Sequence, residues 1–204
     1  MLLSTLFYGL AFYALNNFLI KYLNYENRDY IISSLHAIIS VGISVLYLFE
    51  TFTEKKYLEY STISIGYALY DVNNLRHPEA KNTLFLILHH FILICCNTWL
   101  IVYKVPYVIK IVSLNFLAEV STPFLNLSMY LYKNNLTKYK FFNVNIFNLT
   151  SKILVTSYLF FRIFLLTYLV WETAFYNNLY YFQIGLTVLN YYWFYKILKM
   201  ARIV

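Results

Sequence analysis

The residues best suited to chemistry lie in the stretch Ala118-Glu-Val-Ser-Thr-Pro-Phe-Leu-Asn126, inside an otherwise apolar segment from Val108 to Leu131. On a helix Asn115, Glu119, Thr122 and Asn126 fall on one face, a polar stripe along a greasy rod. An ionisable group at the centre of a bilayer costs about 2.5–3.5 kcal/mol on insertion scales, so Glu119 is expected to face an internal cavity or a partner side chain. Pro123 has no N–H to offer the carbonyl of Glu119, which predicts a kink beside the acid. The second chemical group is the pair His89-His90, in the apolar run Thr83–Val102. Adjacent helical residues point about 100° apart, so one imidazole can face a cavity while the other meets a neighbouring helix. A neutral imidazole can serve as base or nucleophile, and a carboxylate across the cavity can orient it and stabilise its positive form.

These groups need a membrane-embedded scaffold. Of the 204 residues 61% are hydrophobic and only 12% charged, far below the roughly 25% charged residues of a soluble domain, which marks an all-α polytopic membrane protein. The net charge of +7 resides in loops between apolar runs and reads as a topology signal, so no nucleic-acid partner is expected. Cys95 and Cys96 are adjacent, cannot pair with each other and lack metal-site spacing; neither a bound cofactor nor a metal is expected.

About seven transmembrane segments are expected: Leu2–Ile20, Tyr30–Phe49, Ile63–Val72, Thr83–Val102, Val108–Leu131, Ile153–Trp171 and Phe182–Leu198. The first has no basic residue ahead of it and no cleavage site behind it, so it reads as a retained helix. The third is too short to span without its polar flanks and reads as a short, tilted or re-entrant helix ending at Asp71, with Asn24–Asp29 a polar link before the second. Ser33, His36, Ser40 and Ser44 share one face of the second segment; Gln183, Thr187, Asn190 and Phe194 share one of the seventh; Arg162 is the charge in the middle of the sixth. Lys133, Lys138, Lys140, Lys152, Lys196, Lys199 and Arg202 lie on the more basic side, which places the C-terminus in the cytoplasm. Arg76 and Lys81 join them if the third segment spans. No hydrophilic stretch is long enough for a second domain, and one bundle over 1–204 is expected.

Taken together, Ser34-Leu-His36-Ala, Gly66-Tyr67 with Asp71, His89-His90, the Glu119-Val-Ser-Thr-Pro-Phe-Leu-Asn126 string, Arg162 and Asn190-Tyr-Tyr-Trp-Phe resemble the TLC-domain family of membrane proteins, which includes the ceramide synthases. The likeness is closest to the family's small members. It implies six helices, within 30–198, forming a barrel around a lipid-accessible tunnel, with a peripheral first helix at 1–22. It further implies an endoplasmic reticulum or related endomembrane location and membrane lipids with a fatty acyl chain as partners. Acyl-CoA would be the co-substrate of an acyl transfer to a lipid amine or hydroxyl. His89, His90 and Glu119 would be catalytic, and His36, Asp71, Thr122, Asn126, Arg162 and Asn190 would hold the substrate. The chain departs from the synthases' Asp-x-x-Asp, having Glu119-Val-Ser-Thr122, so one of the two carboxylates is absent; the family's small members lack it too, and their implied roles lie in membrane phospholipid composition and lipid homeostasis.

Other readings stand beside these. Glu119 and Arg162 can equally form a structural ion pair between helices, and Asp71, beside Asn73-Asn74, can equally be a solvated helix cap. The serines suit close helix approach. At the level of the whole protein, a non-enzymatic lipid-binding or lipid-sensing protein would use the same tunnel. An ion-coupled transporter would use the same buried acid, but the two halves carry no visible inverted repeat.

Overall fold

A computed structural model describes residues 2–74, 83–175 and 177–200. They form seven helical rods and one small hairpin. The rods are α1 (Leu2–Leu19), α2 (Tyr25–Leu48), α3 (Glu54–Asn74) and α4 (Thr83–Tyr103), followed by α5 (Pro106–Phe116), which continues through a 3₁₀ turn into α6 (Thr122–Lys133). After the antiparallel pair β1 (Lys140–Phe141) and β2 (Val144–Asn145) come α7 (Ile146–Tyr158), which runs through a π-helical turn into α8 (Leu165–Glu172), and finally α9 (Asn177–Met200). Five of the rods are long and apolar enough to cross a bilayer: Leu2–Leu19, Tyr25–Leu48, Leu84–Tyr103, Pro106–Lys133 and Ile146–Glu172. The protein is therefore an integral, all-helical membrane protein with no sheet core.

The third segment differs from expectation. It is a continuous helix of 21 residues rather than the ten-residue piece Ile63–Val72. At about 1.5 Å per residue it is long enough to traverse the hydrocarbon core. Its low hydropathy has a packing cause: Tyr57, Ser61, Thr62, Ser64, Tyr67 and Asp71 are buried against other helices, so they answer to protein partners rather than to lipid. The second helix also begins earlier than expected. Asn24 caps it by accepting the backbone N–H of Asn27, and Glu26 sits in its first turn, so Asp29 belongs to the helix and not to the link before it.

Small residues set the approach of α1 to α3. A Cβ on Gly66 would lie 2.8 Å from the backbone nitrogen of Gly9 and the carbonyl oxygen of Thr5. α1 buries only Thr5, Phe12 and Asn16 and leaves most of its apolar surface outward.

The rods differ at their two ends. Around the start of α5, Leu100, Ile109, Leu166 and Leu169 pack as a continuous apolar core, and Tyr107 Oη donates to the carbonyl of Glu172 at 2.7 Å. At the opposite end the start of α2 meets the ends of α3 and α6, through Tyr25 Oη on the carbonyl of Asn74 at 3.2 Å and Lys133 Nζ on Glu26 at 2.7 Å. The basic positions Arg76, Lys81 and Arg202 lie outside the described residues.

Candidate functional site

Two cavities lie between the rods. The larger, of about 410 Å³, is of the size that holds a small ligand. It has Glu26, Lys133 and Lys196 at its rim and His89, His90 and Glu119 deeper in. A smaller one of about 60 Å³ adjoins it, since His89, Leu93, Glu119 and Arg162 line both. Asn115, Glu119, Thr122 and Asn126 of the fifth segment, Ser33 and His36 of the second and Asn190 of the seventh line these cavities, whereas Ser40, Ser44, Gln183, Thr187 and Phe194 line neither.

Glu119 sits in the 3₁₀ turn Leu117–Ser121. The carbonyl that Pro123 was expected to strand is satisfied: Thr122 N–H donates to Glu119 O across the tighter turn. The proline is thus absorbed by a change of helix type at the acid. The facing rod is irregular too, a π turn at Leu159–Phe164 that carries Arg162 inward. Arg162 Nε donates to Ala118 O and Ser121 Oγ, each at 2.8 Å, and Nη1 donates to Asn190 Oδ1 at 3.0 Å. Nη2 donates to Thr122 Oγ1 at 2.6 Å and to Glu119 Oε2 at 3.2 Å. Thr122 Oγ1 in turn donates to the same Oε2 at 2.5 Å. One carboxylate oxygen is thereby fixed, and Oε1 is left without a hydrogen bond among the described residues. Almost every donor of the guanidinium is engaged inside the protein, so Arg162 orients Glu119. The ion pair and the cavity-lining acid, posed as alternatives by the sequence, are both present in one arrangement.

The paired histidines separate as their helical phase predicts. His90 is buried, and its Nε2 lies 2.6 Å from Asp71 Oδ2 on α3. Asp71 is itself 6% exposed and hydrogen-bonded to His90, which replaces the solvated-cap reading. His89 makes no hydrogen bond among the described residues. Its Nδ1 is sealed off, it packs edge-on to Trp193 with ring centroids 5.4 Å apart, and Nε2 is the nitrogen left for the cavities it lines. His89 Nε2 is thus uncommitted among the described residues, whereas His90 Nε2 is held by Asp71.

The remaining candidates hold the walls together. His36 Nε2 pairs with Ser40 Oγ at 3.0 Å and Ser64 Oγ at 3.2 Å, and its ring stacks on Tyr67 with centroids 3.9 Å apart. Asn126 Nδ2 donates to the carbonyl of Tyr30 at 3.2 Å and to Ser34 Oγ at 2.9 Å, fastening α6 to α2. Asn190 accepts from Arg162 and from Tyr158 Oη, and donates to the carbonyl of Leu186. His36, Asn126 and Asn190 thus meet protein partners before any substrate.

Sequence reading missed Asp29, Tyr67, Lys133, Lys196 and Trp193, all of which line the larger cavity. For Asp29 a signal existed. An asparagine two residues before Glu26 is a helix-start pattern, and starting α2 there carries Asp29 into the bundle. For the lysines no local signal exists, because only the shared cavity brings the ends of α6 and α9 and the start of α2 around one space.

No curated protein and no solved structure matches the chain. The family model of the TLC domain does, over residues 2–199. With nearly its whole length covered, and with the paired histidines and the proline-helix glutamate lining one cavity, the chain belongs to the TLC-domain family.

Proposed function

We propose that this membrane protein transfers an acyl group from acyl-CoA to a lipid amine or hydroxyl within the larger cavity, and so adjusts membrane lipid composition. Membership of the TLC-domain family supports a lipid-related role. The observation that carries the chemistry is the pairing of a free imidazole with a half-fixed carboxylate. His89 and Glu119 line the same cavities, His89 with no hydrogen bond among the described residues and Glu119 with Oε1 uncommitted. In the reaction His89 Nε2 takes the proton from the acceptor as its nitrogen or oxygen attacks the thioester carbonyl. The carbon–sulfur bond then breaks, and the thiolate leaves with that proton. Glu119 stabilises the imidazolium between these events. His90, held by Asp71, fixes the end of α4 from which His89 projects.

The rim supports the direction of entry. Lys133 and Lys196 lie where the more basic loops gather, the side assigned to the cytoplasm by the positive-inside tendency, and phosphates of a CoA thioester would approach there. An endoplasmic reticulum location and a cytoplasmic C-terminus belong to the same proposal. The purified protein, incubated with radiolabelled acyl-CoA and mixed lipid acceptors, should yield a labelled lipid, and His89→Ala should lose the product. Transfer that survives the loss of both histidines would end the catalytic assignment. A tightly held lipid that is never converted would favour a lipid-binding or lipid-sensing protein instead.

A further inference from the structure

Between α6 and α7 the chain folds into the hairpin β1–β2, where Lys140 pairs with Asn145 and Phe141 with Val144. The spans Pro106–Lys133 and Ile146–Glu172 end and begin on either side of it, so the hairpin lies where both leave the hydrocarbon. Its two central residues, Phe142 and Asn143, hold φ at 47° and 62°. Consecutive positive φ values are the pattern of a type I′ turn, which asparagine and glycine adopt readily and a bulky side chain does not. Phe142 stands there nonetheless, and the protein does not bury its ring. It is 86% exposed, and Phe141, edge-on to it with ring centroids 4.5 Å apart, is 56% exposed. Tyr139 and Val144 are exposed beside them. The hairpin is fastened at its base, because the Ile146 N–H donates to the carbonyl of Tyr139 and Asn145 Nδ2 to that of Thr137. Charge completes the pattern. Lys138, Lys140 and Lys152 are exposed and make no ion pair among the described residues, and no Asp or Glu occurs between Glu119 and Glu172. A ribbon of two short strands has unpaired backbone edges and is kept out of the hydrocarbon, while aromatic rings and lysine stems suit the head-group layer.

We propose that this hairpin recognises anionic phospholipid in the leaflet around it. Phe141 and Phe142 seat among the first acyl carbons, and the ammonium groups of Lys138, Lys140 and Lys152 meet the negative charge of the head groups above. Zwitterionic head groups balance their own charge and draw the lysines less. Burying the Phe142 ring in lipid offsets the strain of its backbone, which contacts within the chain leave uncompensated. The hairpin follows on from α6, whose last residue Lys133 stands at the rim of the larger cavity, so anionic lipid gathers at that end of the rods. Acyl transfer at His89 is not required for this recognition, and the two fail separately.

The test uses the full-length protein reconstituted in vesicles of phosphatidylcholine, alone or with phosphatidylserine as one part in three. Spin-labelled phosphatidylserine should associate with the wild-type protein more strongly than spin-labelled phosphatidylcholine, by roughly threefold or more at low salt, and the preference should shrink as salt rises. Lys138→Gln combined with Lys140→Gln should cut that preference by roughly half or more. Depth is read separately from Phe142→Trp, as the emission it adds to that of the wild type. Lipid brominated on its acyl chain should quench the added emission, and dissolved acrylamide should barely reach it. Equal association of the two lipids with the wild type overturns the proposal, even if no variant folds. So does a preference that the lysine substitutions leave unchanged, or added emission quenched by acrylamide and not by bromine. A dimer in phosphatidylcholine vesicles that Phe141→Ser with Phe142→Ser dissolves would assign the rings to a second copy of the chain and overturn it as well.

Discussion

The two walls of the larger cavity use the same materials and end in different states. On the wall built by α5–α6, α7–α8 and α9, a carboxylate and a guanidinium meet, and Thr122, Ser121, Asn190 and the carbonyl of Ala118 complete almost every remaining hydrogen bond. On the wall built by α2, α3 and α4, an imidazole and a carboxylate meet at 2.6 Å, but Asp29 is left over beside them, and neighbouring His89 is left without a hydrogen bond. Among the described residues the first wall leaves Glu119 Oε1 uncommitted within an otherwise dense network, whereas the second leaves the whole of Asp29 and His89 without a hydrogen bond. The lesson is that charge buried in a membrane bundle is not by itself a sign of chemistry. The uncommitted atom is the sign, and it is found by accounting for every donor and acceptor in turn.

The comparison can be broken most forcefully at the wall that holds Glu119 and Arg162. Replacing Arg162 with Met strands the Glu119 carboxylate in the interior, and we expect a loss of about 3–5 kcal/mol in stability. The measurement is thermal unfolding in detergent micelles. The double change Arg162→Met with Glu119→Gln should cost less than Arg162→Met alone, because the charge left unpaired is gone. A double variant no more stable than the single one would show that the pair does not act as a unit.

On the other wall the two histidines should part company. His90→Ala leaves Asp71 buried without its partner and should cost about 1.5–3 kcal/mol by the same melting measurement. His89→Ala removes a side chain that bonds to nothing and should cost less than about 1 kcal/mol, while labelled-product formation disappears. Equal destabilisation by the two would erase the distinction drawn between the tied and the free imidazole. Asp71→Asn, which keeps a hydrogen-bonding group opposite His90, should fall between them.

The smallest effect belongs to the rim. Glu26 and Lys133 are 30% and 29% exposed at their side chains, so water and salt share their charges. Lys133→Ala should shift stability by no more than about 1 kcal/mol, and raising the salt concentration should reduce even that.

Much of the architecture was legible before any coordinates. Hydropathy located the rods because a segment facing lipid has no alternative to apolar side chains, and a chain with 12% charge has no other way to fold. The same logic failed at α3, whose tyrosines and serines face other helices. It failed again at the start of α2, where a capping pattern outranks a hydropathy dip.

The sequence by itself determined that polar side chains on several rods had to face inward, since a carboxylate, two imidazoles and a guanidinium have no place against hydrocarbon. Which of those groups would satisfy one another was decided only by the tertiary structure. Pairing depends on ångström-scale distances between residues 19 to 43 positions apart in the chain, as in His90 with Asp71 and Arg162 with Glu119. Helical periodicity predicts the face a residue occupies, but not the partner that the packing of the rods brings opposite it.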